Sequence, residues 1–240
     1  GYAERTTNWK IIDADKYTYA SSSGAWKVGE DSVEFSTGHN EVGYVAKWTD
    51  ISPGEDGKII IRTSHSVGEE NGGLPGAHSY KGYAGGVFML ESQVSPPQSW
   101  IAYNDSANKN GGTSEETVTE INIGRSSPGP NSGELLQYGS GEGTGVTATY
   151  KETLSVGSVF WTSDSITYDE ESDAARIFSE VLDLTGNISY GDAPGWYMDL
   201  EIEGLDPDRK YTFVGTAMRG GGAGYAERTT NWKIIDADKY

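Results

Sequence analysis

Three histidines, His39, His65 and His78, are the only imidazoles in the 240 residues. None stands in the HExxH or paired spacing that a zinc site uses. The chain has no cysteine, which removes thiolate metal sites, thiol nucleophiles and disulfides together. No GxSxG elbow and no phosphate-cradling GxxxxGK[ST] loop occurs. Acids are plentiful, 36 Asp and Glu in all, so a glycosidase pair is easy to imagine anywhere. Such a pair must face across a cleft. Asp199 and Glu201 alternate with Met198, Leu200 and Ile202, which assigns them to the solvated face of a strand. With no converging set of reactive groups, the expectation is a protein that is not an enzyme and has no catalytic residues.

Binding chemistry has three candidates. Asp164, Asp169, Glu170, Glu171 and Asp173 fall in one acidic loop and are oxygen donors of the kind calcium takes. Their spacing is not that of an EF-hand, and a solvated loop is the competing reading. Trp26, Trp161 and Trp196, with Tyr190 and Tyr197, are aromatics that could stack on a glycan. The competing reading for each is packing in a β core. Asn104-Asp105-Ser106 and Asn187-Ile188-Ser189 spell N-glycosylation sequons.

The net charge of −18 repels nucleic acid and anionic membranes, so neither is expected as a partner. No apolar run is long enough to span a bilayer as a helix.

The elements that must position these groups are short strands separated by glycine turns. Thr7–Ile12, Tyr17–Ala20, Ser32–Phe35, Gly43–Thr49, Lys58–Thr63 and Tyr83–Leu90 read as strands, with Gly85-Gly86 allowing a bulge or close packing. Beyond Pro96-Pro97, which cannot sit within a ladder, the strands are Trp100–Tyr103, Thr117–Ile123, Leu135–Tyr138, Val146–Tyr150, Val159–Trp161, Val181–Leu184, Asn187–Tyr190, Trp196–Gly204 and Tyr211–Met218. Asp173–Ser179 is the one helical turn expected. Many short strands without βαβ alternation predict an all-β antiparallel sandwich or jelly roll.

One feature governs the organisation. GYAERTTNWKIIDADKY begins at Gly1 and again, without a mismatch, at Gly224, a period of 223 residues. A long exact period is the mark of a tandem array. With the proline pair as boundary, 1–93 reads as the C-terminal part of one repeat, 94–98 as linker, and 99–240 as the N-terminal part of the next. The repeated segment then lies inside a domain, so the ends of this chain are not expected to be domain ends. A circularly permuted single domain is the alternative.

The pieces Trp100–Asp105, Thr144–Thr147, Val181–Gly186, Gly204–Pro207 with Tyr211–Phe213, Arg228–Thr230, Gly43–Thr49, Asp56-Gly57 and Tyr83–Leu90, taken together, resemble a β-sandwich repeat of large bacterial surface and secreted proteins. That resemblance implies an extracellular or cell-surface, multi-copy, non-catalytic module. The expected function is a structural repeat unit of a filament or giant surface protein, with other copies of itself as partner. The alternatives are a glycan-binding adhesin module, with calcium as a conceivable cofactor, and a secreted polysaccharide-active enzyme. An exchanged strand is the expected means of assembly, carried by Thr7, Trp9 and Ile11 in one copy and Thr230, Trp232 and Ile234 in the other.

Overall fold

The computed structural model describes residues 7–12, 14–20, 27–28, 32–37, 40, 43–64, 82–85, 87–93, 99–106, 116–123, 130–152, 156–159, 169–182, 184, 188–191, 195–217 and 229–234. Within 7–28, 156–159, 188–191 and 229–231, and at 36, 82 and 152, the description is of the backbone. The first strands are β1 (Thr7–Ile12), β2 (Ala14–Ala20), β3 (Lys27–Val28), β4 (Ser32–Ser36), β5 (Ala46–Pro53), β6 (Lys58–Ser64), β7 (Gly82–Ala84) and β8 (Val87–Gln93). They are followed by β9 (Trp100–Asp105), β10 (Ser132–Leu136), β11 (Gly143–Glu152) and β12 (Val156–Val159). The helix α1 (Asp173–Phe178) precedes β13 (Ile188–Gly191), β14 (Tyr197–Glu203), β15 (Lys210–Thr216) and β16 (Thr229–Ile234).

One sheet runs β10-β11-β14-β6-β1-β16-β4-β3, a second β2-β5-β15-β8-β9, and a small third β12-β13-β7. Among the described residues the pairings between these strands are antiparallel, except that of β1 with β16. The fold is therefore all-β, built on two large, mainly antiparallel sheets. Strands from 1–93 and from 99–240 interleave in both: β6 pairs with β14 along its length, and β15 lies between β5 and β8. Residues 94–98 lie outside the described residues.

The alternation of β14 places Met198, Leu200 and Ile202 inside, where they join Phe35, Ile59, Ile61, Trp232 and Ile234 of the same sheet. The five-stranded sheet answers with Trp48, Ile51, Phe88, Leu90, Tyr211 and Phe213, and all belong to one buried cluster. Phe88 meets Tyr150 edge-on across the layers, ring centroids 6.4 Å apart. The other face of the five-stranded sheet is also covered. Val87, Met89, Tyr103 and Val214 form a second cluster with Ala174 and Phe178 of α1. Ser172 caps α1, its Oγ accepting from Ala175 N at 3.2 Å, as helix starts favour.

Several elements differ from the expectation, among them Leu135–Tyr138, whose strand is Ser132–Leu136. Tyr83–Leu90 is two strands in different sheets, divided at Gly85. The strand expected at Gly43–Thr49 starts at Ala46 and continues to Pro53, and a tight turn over Gly54–Gly57 follows, closed by Gly57 N donating to Gly54 O at 2.8 Å. Val181–Leu184 is no strand: the amides of Val181 and Leu182 both donate to Phe178 O at 2.9 Å, and their side chains fill the cluster beneath α1. A short apolar run serves either purpose, and the pattern alone does not choose. Thr117–Ile123 makes only a bridge from Thr119 to Asn104. There the Asn104 side chain replaces a ladder, accepting from Ile121 N at 2.8 Å and donating to Ile121 O at 3.1 Å.

Candidate assembly site

The repeated segment is where the fold becomes unusual. β16 brings Trp232 and Ile234 into the core, both fully buried. Its backbone pairs with β6 at Asn231↔Ser64, Trp232↔Thr63, Lys233↔Arg62 and Ile234↔Ile61, and with β4 at Thr229↔Ser36 and Thr230↔Phe35. Strand alternation then sends Trp232 inward and Lys233 outward. The indole stacks on Phe35, centroids 5.5 Å apart and planes 21° apart.

Its far edge reaches across to the other sheet and rests on glycine. A Cβ at Gly215 would lie 2.1 Å from Cζ3 of Trp232, and one at Gly85 would lie 2.9 Å from Cη2 and 2.0 Å from the carbonyl oxygen of Thr216. Two positions on separate elements thus lack side chains where the indole sits. Close approach of this kind is what a glycine inside a strand signals. Phe35, Gly85, Gly215 and the edge of β6 form a seat for the strand. Sequence reasoning names the strand and misses the seat; Gly215 in the middle of YTFVGTAM is the available signal.

The other copy reaches the same edge. β1 pairs with β6 at Ile11↔Ile61 and Ile12↔Ile60. Ile11 and Ile234 are the same position of the repeat, and both oppose Ile61, so the two copies take one register on β6. β14 occupies the opposite edge of β6 from Lys58 to Ser64, with Leu200 opposite Ile61. A strand residue has two edges and one amide pair, so Ile61 cannot fully bond three partners. β1 also lies parallel to β16, with Thr7↔Asn231, Asn8↔Trp232 and Lys10↔Ile234. That register is displaced by one residue from a match of like with like, which inverts the faces. Of the six residues named for assembly, Trp232 and Ile234 are seated in the core. Thr230 pairs with Phe35, and Thr7 and Ile11 are placed by backbone pairing. Trp9 lies within β1.

The outward face of β6 and β14 is charged but neutralised. Asp199 and Glu201, expected in solvent, are both only 8% exposed. The correction has a plain cause: cations on neighbouring strands lie over them. Arg62 grips Asp199 with two bonds of 2.7 Å, the bidentate geometry that makes such pairs strong. Lys58 lies 3.3 Å from Glu201 and 3.4 Å from Glu203, and Lys151 also bonds Glu201. Burial alone would lower the Lys58 pKa, but Glu201 and Glu203 together raise it above its ordinary value. Arg62 further covers the Tyr197 ring at 3.8 Å. Both acids are committed to these pairs, and they form no opposed catalytic dyad.

The remaining candidates separate. Asn104 is fully buried with both amide atoms bonded to Ile121, so a glycan there is incompatible with the fold. Trp196 is 1% exposed and packs in the core, the competing reading for this residue, and is no sugar platform. Tyr190 is placed by its backbone in β13, opposite Tyr83. Asp169 and Glu170 are exposed; Asp169 accepts from the Glu171 amide at 2.9 Å, and Asp173 opens α1. Among the described residues no three acids or histidines gather as a metal site. Asp164, Asn187, Trp26, Trp161, His39, His65 and His78 lie outside the described residues. No family model, curated protein or solved structure matches the chain.

Proposed function

We propose that this protein is a structural repeat unit, a β-sandwich module of jelly-roll type that assembles head to tail into an extracellular filament or a giant cell-surface protein of bacterial kind. The observation that carries this reading is that two identical strands, one period apart, address one register on β6. A covalent array supplies one strand and one seat per 223 residues, and the numbers balance. Within a single span of 240 residues they do not, since there are two strands for one seat. The composition agrees with a repeating material: no cysteine and a net charge of −18 leave core packing and strand pairing as the sources of cohesion, with like charge favouring solubility.

Negative-stain electron microscopy of native material, joined to the mass of the denatured chain, tests this. A continuous strand of modules is expected, with a denatured mass far above 25.8 kDa for a covalent array and near it for a polymer of subunits. Isolated monomers at every concentration contradict the reading.

A further inference from the structure

The structural-unit reading leaves open what joins one unit to the next, and the geometry of the seat narrows it. We propose that the edge of β6, with Phe35, Gly85 and Gly215 behind it, is a strand acceptor that takes the Thr7–Ile12 strand from a second copy of this chain and selects it by its tryptophan. The inference rests on the reading of the protein as an assembling unit.

Three observations point to this occupant. The register that seats Ile234 opposite Ile61 is the one Ile11 adopts, so the donor strand needs no adjustment to fit. The glycine seat fits a large planar side chain: Trp232 is fully buried against Gly85 and Gly215, with Phe35 stacked on the indole. In the donor the matching residue is Trp9, in the same sequence context. Finally, within one chain both copies reach the same edge: β1 stands between β6 and β16 in the sheet order, β16 also pairs with β6, and the two copies are mismatched against each other, so one edge is shared by two identical strands. A strand that must share its edge with an identical twin at home, and has a matching register on an identical molecule, is the starting point of strand exchange. Selection by residue type arises because smaller side chains would leave the slot part empty, losing contacts on every side.

The absence of cysteine makes a clean test available in the full chain. Ser64 opposes Asn231 on the seated strand, and Asn8 is the same position in the other copy. Opposed residues on antiparallel strands lie within disulfide reach. A chain carrying Ser64→Cys is mixed with one carrying Asn8→Cys under mild oxidation, and cross-linked pairs are identified by mass and peptide mapping. Ser64→Cys with Asn231→Cys in one chain is the control, and its closure shows that the seat is formed. The expected result is a disulfide joining the thiol introduced by Ser64→Cys in one molecule to that introduced by Asn8→Cys in the other. Its yield should fall about tenfold or more when the donor also carries Trp9→Ala, the change that about 1.4 kcal/mol of lost affinity produces. Trp9→Ala leaves the acceptor's own seat untouched, so a folding defect there cannot imitate the loss. Failure to cross-link between molecules while the control closes overturns the proposal, and so does cross-linking indifferent to Trp9→Ala. If filaments persist despite either failure, the units join through another surface and the structural-unit reading stands without strand exchange.

Discussion

β16 holds four register positions on β6 and two on β4, with its tryptophan and isoleucine in the core. β1, drawn from an identical seventeen-residue segment, holds two on β6 and lies parallel to its twin. Intrinsic propensity cannot distinguish them, because their sequences are the same. What distinguishes them is where the chain delivers each one, and therefore which neighbours it finds. Strand preference is a property of the surroundings more than of the residues, and here one molecule holds both halves of that comparison. Nothing is special about the strand alone; the seat makes it structural.

The largest effect should follow from closing the seat to both copies. Gly215→Val places branched carbon where Trp232 lies, and neither copy can compensate. Overpacking of this kind costs about 1–3 kcal/mol and sometimes more, read as a lower urea midpoint at an unchanged slope.

The opposite face of β6 gives the contrast. Arg62→Ala leaves Asp199 nearly buried without its bidentate partner. The expected loss is about 1–3 kcal/mol, without altering which copy is seated. Hydrogen exchange of β16 should remain slow in that variant. If it becomes fast, the charged face and the seat are one cooperative unit.

A smaller effect belongs to alkaline pH. Burial raises the Tyr150 and Tyr211 hydroxyls, and Lys58 is raised by its carboxylate partners against the effect of burial. Each group holds its proton longer in the folded chain than in the unfolded one. The stability this confers is therefore complete below the ordinary values of 10.0 for tyrosine and 10.5 for lysine, and is lost as pH rises beyond them. Urea midpoints should be flat from neutral pH to about pH 9.5 and fall above about pH 10. Tyr150→Phe should soften that fall. The smallest effect is expected for Trp9→Ala, within about 0.5 kcal/mol, because Trp232 supplies the indole that stacks on Phe35.

Much of the fold is legible in the residues. Trp196, Met198, Leu200 and Ile202 announce an inward strand face, and each is buried. Thr7–Ile12 and Lys58–Thr63 are recognisable as strands, and DAARIF as a single helical segment. The burial of Asp199 and Glu201 is not legible, because alternation tells which face a side chain takes but not what lies over it. Arg62 stands 137 positions from Asp199, and Lys151 stands 50 from Glu201. Asn104 obeys the same rule: a sequon describes three residues, while accessibility depends on Ile121 across a loop. The repeat is plain in the sequence. Its seat is not, because it is assembled from Phe35, Ile61, Gly85 and Gly215 on four separate stretches, and two of these contribute by having no side chain.

Competition of two copies for one seat is tested most directly by a double-mutant cycle. Trp9→Ala, Trp232→Ala and the pair are unfolded in urea as full-length chains. If either copy can take the seat, Trp232→Ala is partly rescued by Trp9, and only the double variant suffers the full loss of a buried tryptophan, about 3–5 kcal/mol. The double loss then exceeds the sum of the two single losses. Additive losses, with Trp232→Ala bearing the whole cost alone, would contradict the competition and show that each copy has its own fixed place.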